Sequence, residues 1–445
     1  MKVLDWLEER AGLGSALRAV ADRPIPGGHG LRHSVFAVLV YLFVQQAVLG
    51  IVLATYYSPS ATDAWASTAY LNDQVAMGWF VRGLHDHGAS AFVVVAALHL
   101  GVLAVYGGYR RPRELVWVAA LAVVGLAFAM GMTGNPLPWD ETGYWGIQVE
   151  LGIIEQSPGG AAIRRLVQGG SEAGNLTLTR LFVVHSFVLP LLLGALLAFI
   201  ARRRHATPAD APLTRSSPYA PSQMFLDAVA MAICAVVLVV WTMRTEGTEL
   251  FGPADPTANF QARPEWYFLF LYKLRHMFEG PREAIATMFI PGAVVAFLVA
   301  VPVFEAIAGR VGRILGLVGL ASVFAGVLGL TAMAIADDKR DESYQTSLEH
   351  ARKQAERARE LAKEGVVPEG GPAVFWNDPE YKVKKLFEEH CQNCHGVDGI
   401  GGGEAPDFTD YSSRAWLASL VRDPNQPHFF GKTKHDTMEA YPADK

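Results

Sequence analysis

Histidines inside apolar stretches carry the first chemical signal in this chain. His85 and His99 lie fourteen residues apart within one such stretch, and His185 lies within another. An imidazole at membrane depth is costly and marks function. Fourteen residues is about four helical turns, roughly 40° short of full register, with about 21 Å of rise. Two such side chains on one helix face, near opposite sides of a bilayer, can each ligate a haem iron. His185 can supply the second axial ligand to one of them.

A second signal is Cys391-Gln392-Asn393-Cys394-His395, the pattern of covalent c-type haem attachment. The two thiols form thioethers to the haem vinyls, and the adjacent imidazole binds iron. A zinc site is a poor fit, because no second cysteine pair exists and Cys234 falls in an apolar stretch. Met438 is the expected second axial ligand, since a soft thioether raises the potential of the iron. His428 and His435 are expected at the surface. The chain ends at Lys445, where a small c-type cytochrome normally continues into a closing helix, so this domain reads as incomplete there.

The elements that must position these groups are membrane helices. Apolar residues make up 51% of 445 and charged residues 18%, below the usual soluble quarter, and the mean hydropathy is +0.21. Apolar runs near 35–55, 89–106, 115–133, 181–201, 224–243, 285–306 and 312–335 each approach the ~20 residues needed to cross a bilayer. The second must begin near residue 77 if it is to carry His85. The fold class is therefore all-α and polytopic with about seven transmembrane helices, followed by a small all-α haem-c domain. The net charge of −5 gives no ground for a nucleic-acid partner. The first 34 residues are polar and basic, without the short apolar core of a cleavable signal peptide.

Arginines set the expected orientation. Arg10, Arg18, Arg23 and Arg32 precede the first span, Arg110, Arg111 and Arg113 follow the second, Arg202, Arg203 and Arg204 follow the fourth, and Arg310 and Arg313 separate the last two. These loops share one side, which the positive-inside rule makes cytoplasmic. Seven spans then put the C-terminus outside, where c-type haems are installed. The expected division is a cytoplasmic segment 1–34, a four-helix bundle 35–205, a linker 206–223, a three-helix domain 224–335, a charged solvated helix or tether 336–370, and a haem-c domain 371–445.

Several motifs in order carry a family resemblance. The run Tyr56-Tyr57-Ser58-Pro59 through Gly78-Trp79-Phe80-Val81-Arg82-Gly83-Leu84-His85 resembles the cytochrome b of quinol-oxidising bc and bf complexes. So do Arg111-Pro112-Arg113-Glu114-Leu115, Trp139-Asp140-Glu141-Thr142-Gly143-Tyr144-Trp145-Gly146, and Leu176-Thr177-Leu178-Thr179-Arg180 leading into His185-Ser186-Phe187-Val188-Leu189-Pro190. Pro264-Glu265-Trp266-Tyr267 completes the set. The likeness spans roughly residues 20–335 and is to the chloroplast-type split protein, here fused into one chain. The haem-c domain lies outside it.

The resemblance implies two haems b, one near each face of a four-helix bundle. His85 and His185 match the ligand pair of the outer haem, and Arg82 resembles the residue beside its propionates. His99 matches one ligand of the inner haem, whose partner should fall at Phe199 or Ile200; neither can bind iron. His205 is about 160° off the His185 face and about 30 Å along the axis, and is expected at the membrane surface. The expectation is a five-coordinate inner haem on His99; a water or unusual ligand, or no inner haem, are the alternatives. Ser34 replaces the cysteine that tethers an extra haem in the chloroplast-type family.

The same resemblance makes Glu265 the base that accepts a proton from bound quinol, with Tyr144 and Tyr267 beside it; the plainer reading pairs Glu265 with Arg263 or Lys273. The implied reaction is quinol oxidation at the outer face. One electron goes to a separate Rieske-type iron–sulfur protein and the other to the b haems, coupled to proton translocation. The fused haem c serves as acceptor or exit, and a c-type cytochrome or other periplasmic acceptor follows it. A homodimer in a bacterial cytoplasmic membrane is implied. The rival reading is a non-bifurcating membrane b/c cytochrome linking the quinone pool to a periplasmic redox enzyme.

Overall fold

A computed structural model describes residues 3–206, 216–258, 260–278, 280–366, 369–397, 400–401 and 405–431. The chain divides into two compact units, Met1–Gly371 and Pro372–Lys445. In chain order the first unit carries α1 (Val3–Ala11), α2 (Leu13–Ala21), α3 (Leu31–Ala54), α4 (Ala64–Asp73), α5 (Gly78–Val105), α6 (Glu114–Gly134), α7 (Glu141–Glu155) and α8 (Gly160–Gln168). It continues with α9 (Asn175–Arg203), α10 (Ser222–Arg244), α11 (Leu269–His276), α12 (Ile285–Arg340) and α13 (Glu342–Lys363). The second unit carries α14 (Pro379–His390) and α15 (Arg414–Arg422).

Six segments (α3, α5, α6, α9, α10 and α12) are long and apolar enough to cross a membrane. The difference from the predicted seven lies in α12, in which two helices meet at Gly309, whose φ of 53° and ψ of −126° are not helical. Glycine reaches that conformation at little steric cost. A side chain at Gly312, Gly316 or Gly319 would meet Phe304, Val301 or Phe297 respectively. Rising numbers against falling ones are the register of an antiparallel hairpin. The predicted 285–306 and 312–335 runs are thus its two arms, joined by a tight break at Gly309.

The core lies between α3, α5, α6 and α9. Leu39, Leu42, Trp117 and Ile200 are fully buried there, and Phe92, Ala96, Ala120, Val123 and Leu197 pack with them. Trp117 Nε1 donates to the Leu298 carbonyl at 2.7 Å and so ties α12 to α6.

The charged segment after the spans is docked, which corrects the expectation of a solvated tether. α13 starts at Asp341, whose side chain accepts from the Tyr344 amide at 3.0 Å, a standard N-cap. Ala351, Ala355, Ala358 and Leu361 form one buried stripe along it. Spacings of four, three and three residues place them on one helical face. Arg359 makes a two-pronged pair with Asp73 of α4, Arg352 pairs with Glu249 at 2.9 Å, and Tyr344 sits under the Arg263 guanidinium at 4.1 Å. Exposed ion pairs contribute about 1 kcal/mol or less each, so burial of Leu361, worth about 1.5–3 kcal/mol, and of the alanine methyls carries the larger share. The charged residues masked a stripe of small apolar ones.

Ala358 is fully buried, so Ala358→Glu forces a carboxylate into a packed face, at a cost of several kcal/mol. Amide exchange over 342–363 is expected to accelerate on the order of tenfold or more, while exchange in α5 stays unchanged; hydrogen-exchange mass spectrometry reads both.

Candidate functional site

Two imidazoles face each other across the bundle. The rings of His85 on α5 and His185 on α9 have centroids 6.3 Å apart. Metal–imidazole bonds of about 2 Å, with half a ring added on each side, require roughly that separation for two axial ligands of one metal. His185 lies in a single π-helical turn, Val184–Val188, that interrupts α9; such turns recur at functional positions because they re-aim one side chain. Its Nδ1 is 3.1 Å from the Met130 carbonyl and 3.2 Å from the Thr133 hydroxyl. Bonding to the carbonyl makes Nδ1 the donor and leaves Nε2 as the basic nitrogen.

Room for a flat ligand is kept open by absent side chains. A Cβ on Gly50 would fall 3.3 Å from Cε1 of His85, and one on Gly134 would fall 2.6 Å from Cε1 of His185. Both imidazoles line a cavity of about 1150 Å³. The donor set, the spacing and the glycine cradle fit a bis-imidazole haem. Arg82 lines the same cavity, with its guanidinium donating to the carbonyls of Thr248 (3.1 Å) and Glu249 (2.8 Å).

Those contacts also fold the loop after α10 over the cavity. The Ala254 amide donates to the Trp139 carbonyl at 3.0 Å, the Glu141 amide donates to Gly252 at 2.9 Å, and Asp140 accepts from the Phe251 amide at 3.1 Å. The chain then brings Pro264-Glu265-Trp266-Tyr267 to the cavity wall, where Trp266 Nε1 donates to Ser90 of α5 at 3.0 Å. Glu265 and Tyr267 line the same cavity as the two histidines.

Glu265 is not held by either cation near it in sequence. Arg263 pairs with Asp338 at 2.8 Å, and Lys273 pairs with Asp337. The Glu265 carboxylate has no hydrogen bond or ion pair among the described residues. Burial, reinforced by the charges of Asp86 and Asp140, pushes its pKa up to about 7. Burial raises the Tyr267 hydroxyl as well, with Glu265 adding to the effect. A carboxyl group poised near neutrality inside an apolar cavity suits proton acceptance. Tyr144 is the exception among the predicted neighbours. It packs between Trp139 and Trp145 at 5.6 and 5.4 Å, its hydroxyl meets Gln148 Nε2 at 3.1 Å, and it is not among the cavity-lining residues.

Sequence reasoning missed His87. Its ring stacks on Trp241 at 4.8 Å, contacts the Thr245 hydroxyl at 2.9 Å and lines the cavity. The signal was its place two residues beyond His85, which turns it toward α10 instead of α9. Glu141 was also missed. It is buried with one carboxylate oxygen unpartnered among the described residues, and burial beside Asp140 and Asp255 raises it to about 7.

The bundle is built differently around His99. The cavity lining stops at Phe43, Phe92, Ala127 and Leu193, one residue on each helix. Beyond that level His99 is 4% exposed, and neither ring nitrogen has a hydrogen-bond partner among the described residues. The Phe36 ring lies 5.2 Å from it, and the Arg204 guanidinium lies 4.4 Å from the Phe36 ring centre, a contact worth about 2 kcal/mol when desolvated. On α9, Ile200 is fully buried and Phe199 is 36% exposed. His205, just beyond the end of α9, is half-buried. Its ring contact is with His33 at 5.7 Å, and burial beside Arg204 and Arg23 lowers its pKa to about 3. The Ser34 hydroxyl donates to Asp227 at 2.7 Å.

The second unit presents its motif at the end of α14. Nδ1 of His395 is 2.8 Å from the Pro406 carbonyl, and its ring stacks on Phe408 at 4.0 Å. The carbonyl orients the imidazole with Nε2 available, as metal-ligating histidines require. Cys391 and Cys394 sit in the turn immediately before it. With both thiols and the oriented imidazole, these residues fit a covalent haem. His428 packs on Phe429 at 4.1 Å. Met438 and His435 lie outside the described residues.

Residues 20–203 match the family model described as cytochrome b/b6, and residues 381–444 match the model for cytochrome c. The cytochrome b6 of Synechococcus elongatus is 34% identical over 206 residues, 46% of this chain and 96% of that protein. The cytochrome b6 of Mastigocladus laminosus is 34% identical over 205 residues (45% and 95%), and that of Chlamydomonas reinhardtii 35% over 192 residues (43% and 89%). Among solved structures, a chain of a hyperthermophilic respiratory complex III superposes with a TM-score of 0.60. It covers 75% of this chain and 99% of its own at 23% identity, which speaks to the fold alone.

Removing one imidazole or filling its cradle has a readable outcome. His185→Leu is expected to abolish the b-type α-band in reduced-minus-oxidised spectra. Gly134→Val, which presses on the same ring, is expected to lower its amplitude at least severalfold at equal protein, with the c-type band unchanged in both variants.

Proposed function

The chain belongs to the cytochrome b/b6 family, and from that premise we propose that it oxidises membrane quinol at the cavity shared by Glu265 and the His85/His185 pair. It is a multi-pass membrane electron-transfer protein with a cytochrome c domain at its C-terminal end. The observation that carries the reading is the half-buried Glu265 carboxylate, unpaired among the described residues, in one continuous cavity with the two facing imidazoles.

Quinol oxidation releases two protons and two electrons, so the site needs a base inside an apolar pocket and an acceptor beside it. Glu265 supplies the base. At neutral pH it exchanges between acid and carboxylate, so it can take a quinol hydroxyl proton and release it again. Tyr267, whose hydroxyl lies close against Gly131, walls the pocket and restricts the pose of a quinone ring. Trp266, bonded to Ser90, holds the segment that carries both. His85 and His185 would hold a haem b, Cys391, Cys394 and His395 a haem c with Met438 as its second ligand, and these groups supply one-electron acceptor chemistry when bound. Arg82 lies where it could meet a haem propionate. Tyr144, outside the cavity, acts as packing behind the loop.

The arginine distribution supports an orientation in which the Glu265 end faces the outside of a bacterial cytoplasmic membrane and the N-terminus faces the cytoplasm. The family supports a complex in which a Rieske-type iron–sulfur protein takes the first electron, a homodimer forms, and an external c-type cytochrome or comparable acceptor follows. The packed surroundings of His99 favour a second reading, in which both electrons leave on the Glu265 side toward a periplasmic redox partner. Co-purification of the full chain with an iron–sulfur subunit supports the first route, and its absence from an active preparation supports the second.

Glu265→Gln removes the base while keeping shape. Quinol:cytochrome c reductase activity is expected to fall about 10²-fold or more. The pH profile tests the assignment independently. Because the carboxyl is raised to about 7, it is neutral below that pH and a base above it. The native rate should therefore climb through pH 7, whereas the residual rate of the Gln variant should show no such rise.

A further inference from the structure

The two ends of the bundle are related by a fourteen-residue step, and that step isolates what differs between them. At one end Gly50 faces His85 and Gly134 faces His185. α3 and α6 run opposite to α5 and α9, so the matching positions at the other end are fourteen residues earlier on the first two helices. They are also fourteen or fifteen later on the second two. Those positions hold Phe36 and Ala120 against His99 and Phe199 or Ile200. The structure obeys this register, since Phe36 contacts His99 as Gly50 approaches His85.

Every substitution in the set acts against a flat macrocycle. Phe36 fills the space that a glycine leaves open, with its ring on His99. Ala120 is buried in the core cluster, and Ile200, fully buried, stands where a second ligand would reach inward. The cavity that holds the His85/His185 pair ends before this level on all four helices. Residues at the His99 end thus do not fit a second haem. Arg204, over the Phe36 ring, covers the filled space from the end of α9.

We infer that this chain holds a single haem b, between His85 and His185, and that the His99 end of the bundle is a packed apolar plug instead of a second haem site. His99 remains as a buried neutral imidazole inside that plug. No haem-borne path then leads from the His85 end to the opposite side of the bundle. The inference rests on reading His85 and His185 as haem ligands, and the test separates failure of that reading from failure of the plug.

The full-length chain, purified in detergent, is assayed by pyridine haemochrome against protein mass, and its oxidised form is examined by low-temperature EPR. One haem b per polypeptide with one low-spin bis-imidazole b signal is the expected result. Two haems b per polypeptide overturn the plug, as does a high-spin b signal lost in His99→Leu. No haem b at all overturns the inference through the His85/His185 site. His99→Leu is expected to leave haem b content and both haem spectra unchanged; a halved haem b content refutes the inference. Should that variant fail to accumulate, the haem count and EPR of the native chain decide alone.

Discussion

Water is absent from the interior of a helical bundle in a membrane, so a ring nitrogen left without a partner there is costly. That constraint organises the molecule. His185 meets it with a backbone carbonyl on one nitrogen and an open cavity on the other, facing a second imidazole across 6.3 Å. His395, partly buried in the second unit, is oriented in the same way without that constraint, with the Pro406 carbonyl at Nδ1. The loop over the cavity, the π turn in α9 and the two glycines beside the rings all follow from keeping such imidazoles aimed at shared space.

The carboxylate at the cavity wall obeys the related rule for charge. Glu265 is denied both nearby cations because Arg263 and Lys273 are engaged by consecutive aspartates at the end of α12. A salt bridge there would have held it ionised. Without one, burial and two acidic neighbours leave it balanced between forms near neutrality. The docked α13 contributes to the same arrangement, since Tyr344 packs on Arg263 and helps fix it away from the pocket.

Much of the site was legible in the chain because its signals are local. Cys391, Cys394 and His395 occupy five consecutive residues, and the fourteen-residue step from His85 to His99 needs only helix geometry. Glu265 was assigned through the resemblance of Pro264-Glu265-Trp266-Tyr267 to the family motif. The features that escaped depend on which helix lies beside which. Phe36 is one apolar residue among many until α3 is set antiparallel to α5, and only then does it become the neighbour that closes on His99. His87 needed α10 placed behind α5. The alanine stripe of α13 has the periodicity of an amphipathic helix, but its charged flanks matched a solvated one equally well. Tyr144, inside the family motif, was assigned to the pocket by association and packs between two tryptophans instead.

The filled half of the bundle also matters electrically. His85 and His99 are separated by about 21 Å of helix rise, much of the ~30 Å hydrocarbon thickness. An electron carried over the whole membrane works with or against the potential at about 2.3 kcal/mol per elementary charge per 100 mV. On the single-haem reading, Phe36, Ala120 and Ile200 turn that stretch into insulation. Charge separated at the Glu265 end then stays on its own side of the dielectric, and turnover there would be insensitive to how strongly the membrane is energised.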